Sequence, residues 1–211
     1  MRILLLVVLL TACATPAAAE TVRTFSREFE AAELRSLRLS VPVGAVEIRA
    51  GSSEQVVVDV RLRCDRGDDR CAEYAEKIEL DHRERSHELR LEFDGPRHWD
   101  DDNDLSIEVQ LEVPASLELE LDLGVGDVQV FDVENHVAVD VGVGQVEVRM
   151  REELVRSVDL EVGIGDATMS PRSSRSRSRS FLGEDIRWRD GEGHARIAVD
   201  VGVGEVDVRL R

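Results

Sequence analysis

Acidic side chains recur beside paired glycines in this sequence, and their chemistry has to be weighed first. The glycines form Gly-x-Gly motifs, at which we expect the chain to turn a corner. Four carboxylates stand two residues before the first glycine of such a corner: Asp122, Asp140, Glu161 and Asp200. A second polar set follows the same corners: Asp127, Gln145, Asp166 and Glu205. On neighbouring strands such side chains lie about 4.8 Å apart. That spacing could let a Ca²⁺ ion bridge two of them. Cleavage of a glycoside would need a pair of carboxylates about 5–9 Å apart inside a cleft that holds the sugar.

Neither chemistry is favoured by the rest of the sequence. The nonapeptide period of calcium-binding solenoid repeats is absent, so no metal site is predicted and the four carboxylates remain only candidates. Aromatic residues make up 4% of the chain, which leaves little surface for stacking a sugar. The five histidines are scattered without ligand spacing, and no nucleophile motif is present. We therefore expect no cofactor and no enzymatic activity.

The charge balance narrows the choice of partners. The chain has 27 Lys and Arg residues against 44 Asp and Glu residues, which gives a formal net charge of −17. Nucleic acid and a bare anionic membrane would be repelled by this charge. Cations and basic surfaces fit it better. The same surplus also keeps a strand-rich protein soluble, which is sufficient reason for it without any ligand.

The first nineteen residues have the layout of an export signal. An apolar run of eight residues, 3–10, follows Met1-Arg2 and is too short to span a bilayer. Leu10-Thr11-Ala12-Cys13 matches a bacterial lipobox, whose Cys13 would be lipidated. A signal-peptidase site after Ala19 is the alternative. The sequence favours a lipoprotein on the periplasmic face of the envelope, held to the membrane only by that anchor, over a soluble periplasmic or secreted protein.

Cys64 and Cys71 are the two cysteines left once the signal is removed. In an exported protein such a pair favours a disulfide, here closing the polar loop 65–70. This loop contains an Arg66-Gly67-Asp68 tripeptide of integrin type, which we attribute to chance in a segment rich in Arg and Asp. The stretch 72–80 has apolar residues near helical spacing and predicts the one short helix of the chain.

The acidic residues are positioned by a repeat. Segments such as VAVDVGVGQVEVRM, residues 137–150, alternate apolar and polar residues on both sides of a glycine corner. Corner glycines fall at 124, 142, 163 and 202, and Gly183 supplies the copy missing from the last gap. The fold class predicted is all-β: a single-stack, β-helix-like solenoid with coils of about 20 residues. The corner glycines are Gly44, Gly124, Gly126, Gly142, Gly144, Gly163, Gly165, Gly183, Gly202 and Gly204.

The repeat divides the chain into four parts and predicts specific contacts. After the signal, 1–19, come a linker or N-terminal cap over 20–35, an irregular β part over 36–115 and regular solenoid repeats over 116–211. Val139, Leu160 and Val199 should stack on one another. The Arg-Ser tract within 171–181 should be a strand that places Arg179 beside Asp159. The final strand should leave an unpaired C-terminal edge available for self-association.

These features carry a family resemblance. The segment SLRLSVPVGAVEIRAG (36–51), a strand pair, and SIEVQLEVPASLELELDLGVGDVQV (106–130) with its recurring Gly-Asp corners resemble the bacterial putative-adhesin repeat proteins over residues 36–211. The resemblance implies an envelope-associated β-solenoid with an adhesive or scaffolding role, which contacts another envelope protein or wall material. The runner-up hypothesis is a cation- or ligand-responsive sensor that uses the carboxylate columns.

Overall fold

Alternation of Val with charged residues produces strands along most of the chain. The computed structural model describes residues 19–52, 54–94, 105–172, 176–177 and 183–211, and it confirms an all-β class. One short helix, α1 (Asp69–Ala75), and a 3-10 turn, Glu152–Leu154, interrupt the strands. The strands are β1 (Ala19–Glu30), β2 (Ser36–Gly51), β3 (Gln55–Asp65), β4 (Glu79–Arg85), β5 (Glu88–Asp94), β6 (Ser106–Pro114), β7 (Glu118–Phe131), β8 (Val137–Met150), β9 (Val155–Ser170), β10 (Ser176–Arg177), β11 (Glu184–Trp188) and β12 (Ala195–Leu210).

Five long strands, β2, β7, β8, β9 and β12, each bend at the predicted corner. In β8 the odd-numbered residues 137, 139 and 141 are buried before the corner, and the even-numbered residues 146, 148 and 150 are buried after it. The change of parity turns both halves of the strand toward the same apolar core. We call the half before the corner the first arm and the half after it the second arm.

The corner requires glycine for two reasons, which Gly144 illustrates. Its φ is +154°, a backbone conformation that side chains of L-residues rarely adopt. A Cβ atom added there would also lie 1.7 Å from the carbonyl oxygen of Gly126 on the next strand. The backbones of adjacent corners are therefore in direct contact, and this contact holds the five bent strands in register.

The bent strands pair in parallel, but not in chain order. The order is β2, β7, β8, β12, β9, with β12 inserted between β8 and β9. Val199 lies opposite both Val139 and Leu160, so the three residues do stack, with Val199 in the middle. The prediction of a single stack of successive coils is wrong in this respect. The predicted C-terminal edge is also wrong, because β12 has a neighbour on each side.

The segment that precedes β12 differs from the predicted fifth coil. β11 pairs antiparallel with β9, which sets Ile186 opposite Leu160. Gly183 is thus no corner glycine of the stack; its N–H donates to Gly163 O at 3.1 Å. The chain reverses direction here instead of making another bend. Of the Arg-Ser tract, Ser176 and Arg177 form β10, antiparallel to β9, and residues 173–175 and 178–181 lie outside the described residues.

The N-terminal end of the stack divides into two layers. The first arm of β2 pairs with β5, which pairs with β4. The second arm of β2 pairs with β6, followed by β3 and then β1. The stretch 20–35, interpreted as a linker or cap, is thus mostly the outer strand β1. Because β2 also pairs with β7 along both arms, the predicted division between residues 115 and 116 does not separate two structural units.

The predicted disulfide is confirmed, and it ties α1 to β3. The Cα atoms of Cys64 and Cys71 are 5.9 Å apart, and both residues are buried. The helix begins at Asp69, ahead of the predicted start, and the chain returns to strand by Glu79. Arg23 of β1 donates from Nη1 to the carbonyl oxygens of Ala75, Glu76 and Ile78 at 2.9, 3.0 and 2.6 Å. This one guanidinium therefore satisfies the carbonyls that end the helix.

Candidate functional site

A row of exposed apolar side chains runs along the corners of the bent strands. The middle residue of each corner is β-branched and lies opposite its counterpart on the next strand. The exposed fractions of Val125, Val143, Val203 and Ile164 are 47, 47, 42 and 51%. We call this row the corner ridge; in spatial order it contains Val43, Val125, Val143, Val203 and Ile164.

Acidic side chains flank the corner ridge on both sides. The four residues predicted as metal candidates form one row on the first arms, in the spatial order Asp122, Asp140, Asp200 and Glu161. The row on the second arms is Asp127, Gln145, Glu205 and Asp166. The sequence thus predicted the neighbours correctly, except that Asp200 lies between Asp140 and Glu161. The ridge is an apolar strip with a negative border on each side.

The surroundings of the first row change the pKa of one of its carboxyl groups, that of Asp140. Partial burial, followed by the charges of Asp200 and Asp122, raises the pKa of the Asp140 carboxyl above its usual value. Asp140 thus ionises less readily than an isolated aspartate. A cationic group placed beside it would relieve this repulsion.

A shallow groove on the outer face of the first arms extends this negative surface. Its volume is about 370 Å³, and small side chains, Ala138 and Ala198, line its middle. Longer side chains rise on both sides: Arg38 and Glu120 form an ion pair at 2.8 Å, and Arg187 of β11 approaches Asp159 at 4.0 Å. Arg179, the predicted partner of Asp159, lies outside the described residues.

Metal binding gains no geometric support from these carboxylates. Within the described ranges, no three His, Cys, Asp or Glu side chains come together in a way that could hold a metal ion. The rows run across parallel strands, so each carboxylate projects outward beside its neighbour, with no shared centre. Such a line of charges suits an extended basic surface better than a single ion.

The Arg66-Gly67-Asp68 tripeptide serves the local structure. The Asp68 carboxylate accepts hydrogen bonds from the backbone N–H groups of Arg70 and Cys71, both at 3.0 Å, and so caps α1. Arg66 lies 3.6 Å from Glu20 of β1. An aspartate engaged in this way is not presented as a free ligand, which agrees with the interpretation of the tripeptide as a chance occurrence.

Of the two predicted processing positions, Cys13 lies outside the described residues and Ala19 is the first residue of β1. In the described part of the chain, no helix is both long and apolar enough to cross a bilayer. The sequence analysis did not predict the corner ridge, although the sequence contains a pattern that indicates it. Four corners read Gly-Val-Gly or Gly-Ile-Gly, with a β-branched apolar residue between the two glycines.

Fold and surface together define a class of protein: a two-layer β structure of bent parallel strands, with an apolar strip bordered by charge. The chain belongs to the family described as the N-terminal domain of toast_rack, DUF2154, which matches residues 16–170. No curated protein matches the sequence significantly.

Three solved structures align with most of this chain. A putative cell adhesion protein from Clostridium sporogenes ATCC 15579 aligns over 90% of this chain and 99% of its own, with 15% identity and a TM-score of 0.58. A putative adhesin from Bacteroides fragilis NCTC 9343 aligns over 88% and 97%, with 11% identity and a TM-score of 0.28. One from Parabacteroides distasonis ATCC 8503 aligns over 88% and 70%, with 12% identity and a TM-score of 0.27. The first of these similarities shows a shared fold.

Proposed function

We propose that this protein is a non-enzymatic, adhesin-like interaction module of the bacterial envelope that docks through its corner ridge. The observation that carries the proposal is the exposure of Val125, Val143, Val203 and Ile164, at 42–51% of their surfaces. Contiguous exposed apolar side chains bordered by polar ones are typical of interaction surfaces. The fold does not need them, because a threonine has the same branching and would satisfy an exposed corner equally well.

Site-specific cross-linking in the native envelope tests this proposal. A photoreactive residue at position 143 or 203 should yield a defined cross-linked species, because these side chains lie on the ridge. The same residue at the exposed position Glu112 of β6, the strand that pairs with the second arm of β2, serves as the matched control. Equal yields from all three positions would contradict docking through the ridge.

A double substitution on the ridge provides an independent measurement. Val143→Thr combined with Val203→Thr keeps the branched shape and removes two apolar methyl groups. We expect the melting temperature to be nearly unchanged, because both side chains are about half exposed. A photoreactive residue placed at the neighbouring ridge position 125 should give the cross-linked species in the otherwise wild-type chain and lose it in the double variant. Its persistence in the double variant would argue against the ridge as the docking surface.

Lipid anchoring at Cys13 and a location on the periplasmic face are part of the proposal, with the soluble form processed after Ala19 as the alternative. The support is the lipobox sequence Leu10-Thr11-Ala12-Cys13. Mass spectrometry of the membrane fraction should find an acylated cysteine at the mature N-terminus. An unmodified N-terminus at Glu20 would rule out the anchor.

A cation-responsive sensor is the second candidate function. Partial burial and then the charges of Asp200 and Asp122 raise the pKa of Asp140, and this favours the sensor because a bound cation would relieve the repulsion between these carboxylates. Titration with millimolar Ca²⁺ should then raise the melting temperature of the wild type and not that of the Asp140→Asn variant. No heat of binding and no change in melting temperature would eliminate the sensor and leave the docking proposal intact.

A further inference from the structure

A basic pocket lies at the start of β9, on the outer face of the first arms. It has a volume of about 300 Å³ and is lined by three arginines, one serine and one aspartate: Arg156, Arg189, Arg196, Ser157 and Asp159. Three guanidinium groups minus one carboxylate give a local charge of +2. In a protein with a net charge of −17, this reversal of sign is unexpected.

The internal ion pairs leave two of these arginines without a counter-charge. Asp159 is shared between Arg187 at 4.0 Å and Arg189 at 3.6 Å. Neither Arg156 nor Arg196 forms an ion pair with any carboxylate among the described residues. Most other outward-facing arginines of the stack do form an ion pair with a carboxylate. Arg149, for example, contacts Glu147 at 2.5 Å.

A β-bulge directs Arg156 into the pocket. β9 pairs with β12 through Val155 opposite Ala195 and then Ser157 opposite Arg196, so Arg156 is the extra residue. Between the buried residues Val155 and Val158, the two residues 156 and 157 consequently both turn outward. Bulges of this kind redirect a side chain at the cost of a ladder hydrogen bond, and they are frequent beside functional sites.

The opposite wall of the pocket is fixed by close backbone packing. A Cβ atom added to Gly191 would lie 2.0 Å from the carbonyl oxygen of Val155, so the loop after Trp188 lies directly against the start of β9. The N–H of His194 donates to Leu154 O at 2.9 Å and holds the far end of this loop. Arg189 therefore faces Arg156 from a supported position.

We propose that this pocket binds a phosphate-type oxyanion, either free phosphate or the phosphate of a lipid headgroup. Guanidinium groups bind such oxyanions through paired N–H donors, and two of the three here form no ion pair with a carboxylate in the described part of the chain. The Ser157 hydroxyl supplies a further donor. Asp159 repels an anion, so binding depends on Arg156 and Arg196. The proposal is separate from docking through the corner ridge, which lies at the other end of the first arms.

Calorimetric titration with inorganic phosphate at constant ionic strength tests the pocket, and titration with chloride serves as the reference. Arg156→Ala combined with Arg196→Ala should weaken phosphate binding by about a hundredfold, because each lost charged contact is worth about tenfold. Arg156→Lys combined with Arg196→Lys keeps the charges and loses the paired donors. The phosphate affinity of this double lysine variant should therefore lie between those of the wild type and the double alanine variant. Arg83→Ala is the control, since Arg83 is exposed and pairs with Asp81 on β4. No saturable phosphate binding and no vesicle binding, or equal affinity in the double alanine variant, would overturn the proposal.

Vesicles identify the source of the phosphate group. Phosphatidylcholine vesicles with and without phosphatidic acid are compared by co-sedimentation of the unacylated chain, residues 20–211, so that a lipid anchor does not contribute to vesicle binding. Binding that requires phosphatidic acid and is lost in the double alanine variant indicates a lipid headgroup. Binding of free phosphate alone indicates a soluble ligand, and both results support the pocket. Vesicle binding that persists in the double alanine variant would contradict it.

Discussion

In the centre of the sheet, the five parallel strands β2, β7, β8, β12 and β9 place repeated positions opposite one another, whereas β1, β3 and β4 at the N-terminal end pair antiparallel without such a repeat. In the centre, valine meets valine and glycine meets glycine, as with Val199 against Val139 and Gly204 against Gly144. At the N-terminal end the tertiary structure depends on additional links: the Cys64–Cys71 disulfide and Arg23, which binds the end of α1. Repetition stabilises the centre, and single specific bonds stabilise the end.

The largest effect should come from adding one carbon atom to the centre. Gly144→Ala introduces a Cβ atom 1.7 Å from Gly126 O at a φ of +154°. We expect a loss of about 4 kcal/mol in the free energy of unfolding, or failure to fold. The control is Gly67→Ala, where φ is +84° but no atom lies within 4 Å, so only about 1 kcal/mol is lost. Chemical denaturation measures both, and similar losses would refute the importance of the corner contact.

Removal of the disulfide should affect the N-terminal end and leave the centre intact. Cys64→Ala combined with Cys71→Ala opens a loop with a sequence separation of 7, which costs about 2 kcal/mol. Hydrogen exchange should accelerate in β1, β3 and α1 while β8 and β12 stay protected. A uniform increase across the sheet would mean that the two regions unfold as one unit.

Arg23 offers a smaller test of the same end. Arg23→Ala removes three hydrogen bonds to the carbonyls of Ala75, Glu76 and Ile78, and we expect a loss of about 1.5 kcal/mol. Arg27→Ala, on the same strand, is the matched control, because both guanidinium groups lie over the Phe25 ring, at 5.2 Å for Arg23 and 5.9 Å for Arg27, whereas the hydrogen bond of Arg27 goes to Ser26 O at 3.2 Å. Thermal unfolding of the two variants should differ, and equal melting temperatures would show that Arg23 has no specific role.

The smallest effect on the free energy of unfolding should come from the carboxylates on the central strands. Because the pKa of Asp140 is raised in the folded protein, its ionisation opposes folding, and stability falls as the pH rises through the raised pKa. Asp140→Asn should therefore stabilise the protein at neutral pH by less than about 0.5 kcal/mol, since the carboxylates are exposed. The gain should vanish in acid, where the carboxyl is protonated in both states. Asp127→Asn, with Ala45 and Gln145 as neighbours, should show no such gain.

The sequence predicted the bent strands and the disulfide but not the order of the stack. Alternation fixes which residues face the core, and the glycines fix where each strand bends. Any Val-rich repeat can pair with any other, so the order depends on the connections, and residues 171–194 contain a reversal that gives no periodic signal. One clue was available: AVDVGVG occurs both in β8 and in β12, and these two most similar copies are neighbours.

The surfaces were less predictable than the strands. Spacing identified the acidic rows because their residues repeat with the corners. The basic pocket has no such repeat, because it combines Arg156 at a bulge, Arg189 after an antiparallel strand and Arg196 at the start of β12. A bulge depends on the pairing of two distant strands and cannot be read from either strand alone.

The central position of β12 has a consequence for biogenesis. A polypeptide emerges from the ribosome, or from a translocation pore, with residues 195–210 after all the strands that must flank them. Until then, β8 and β9 have no native partner on one side and present complementary Val-rich edges to each other. Folding is therefore completed late, after delivery of most of the chain, and a nascent polypeptide halted before residue 195 would be prone to close the gap with the wrong pair of strands.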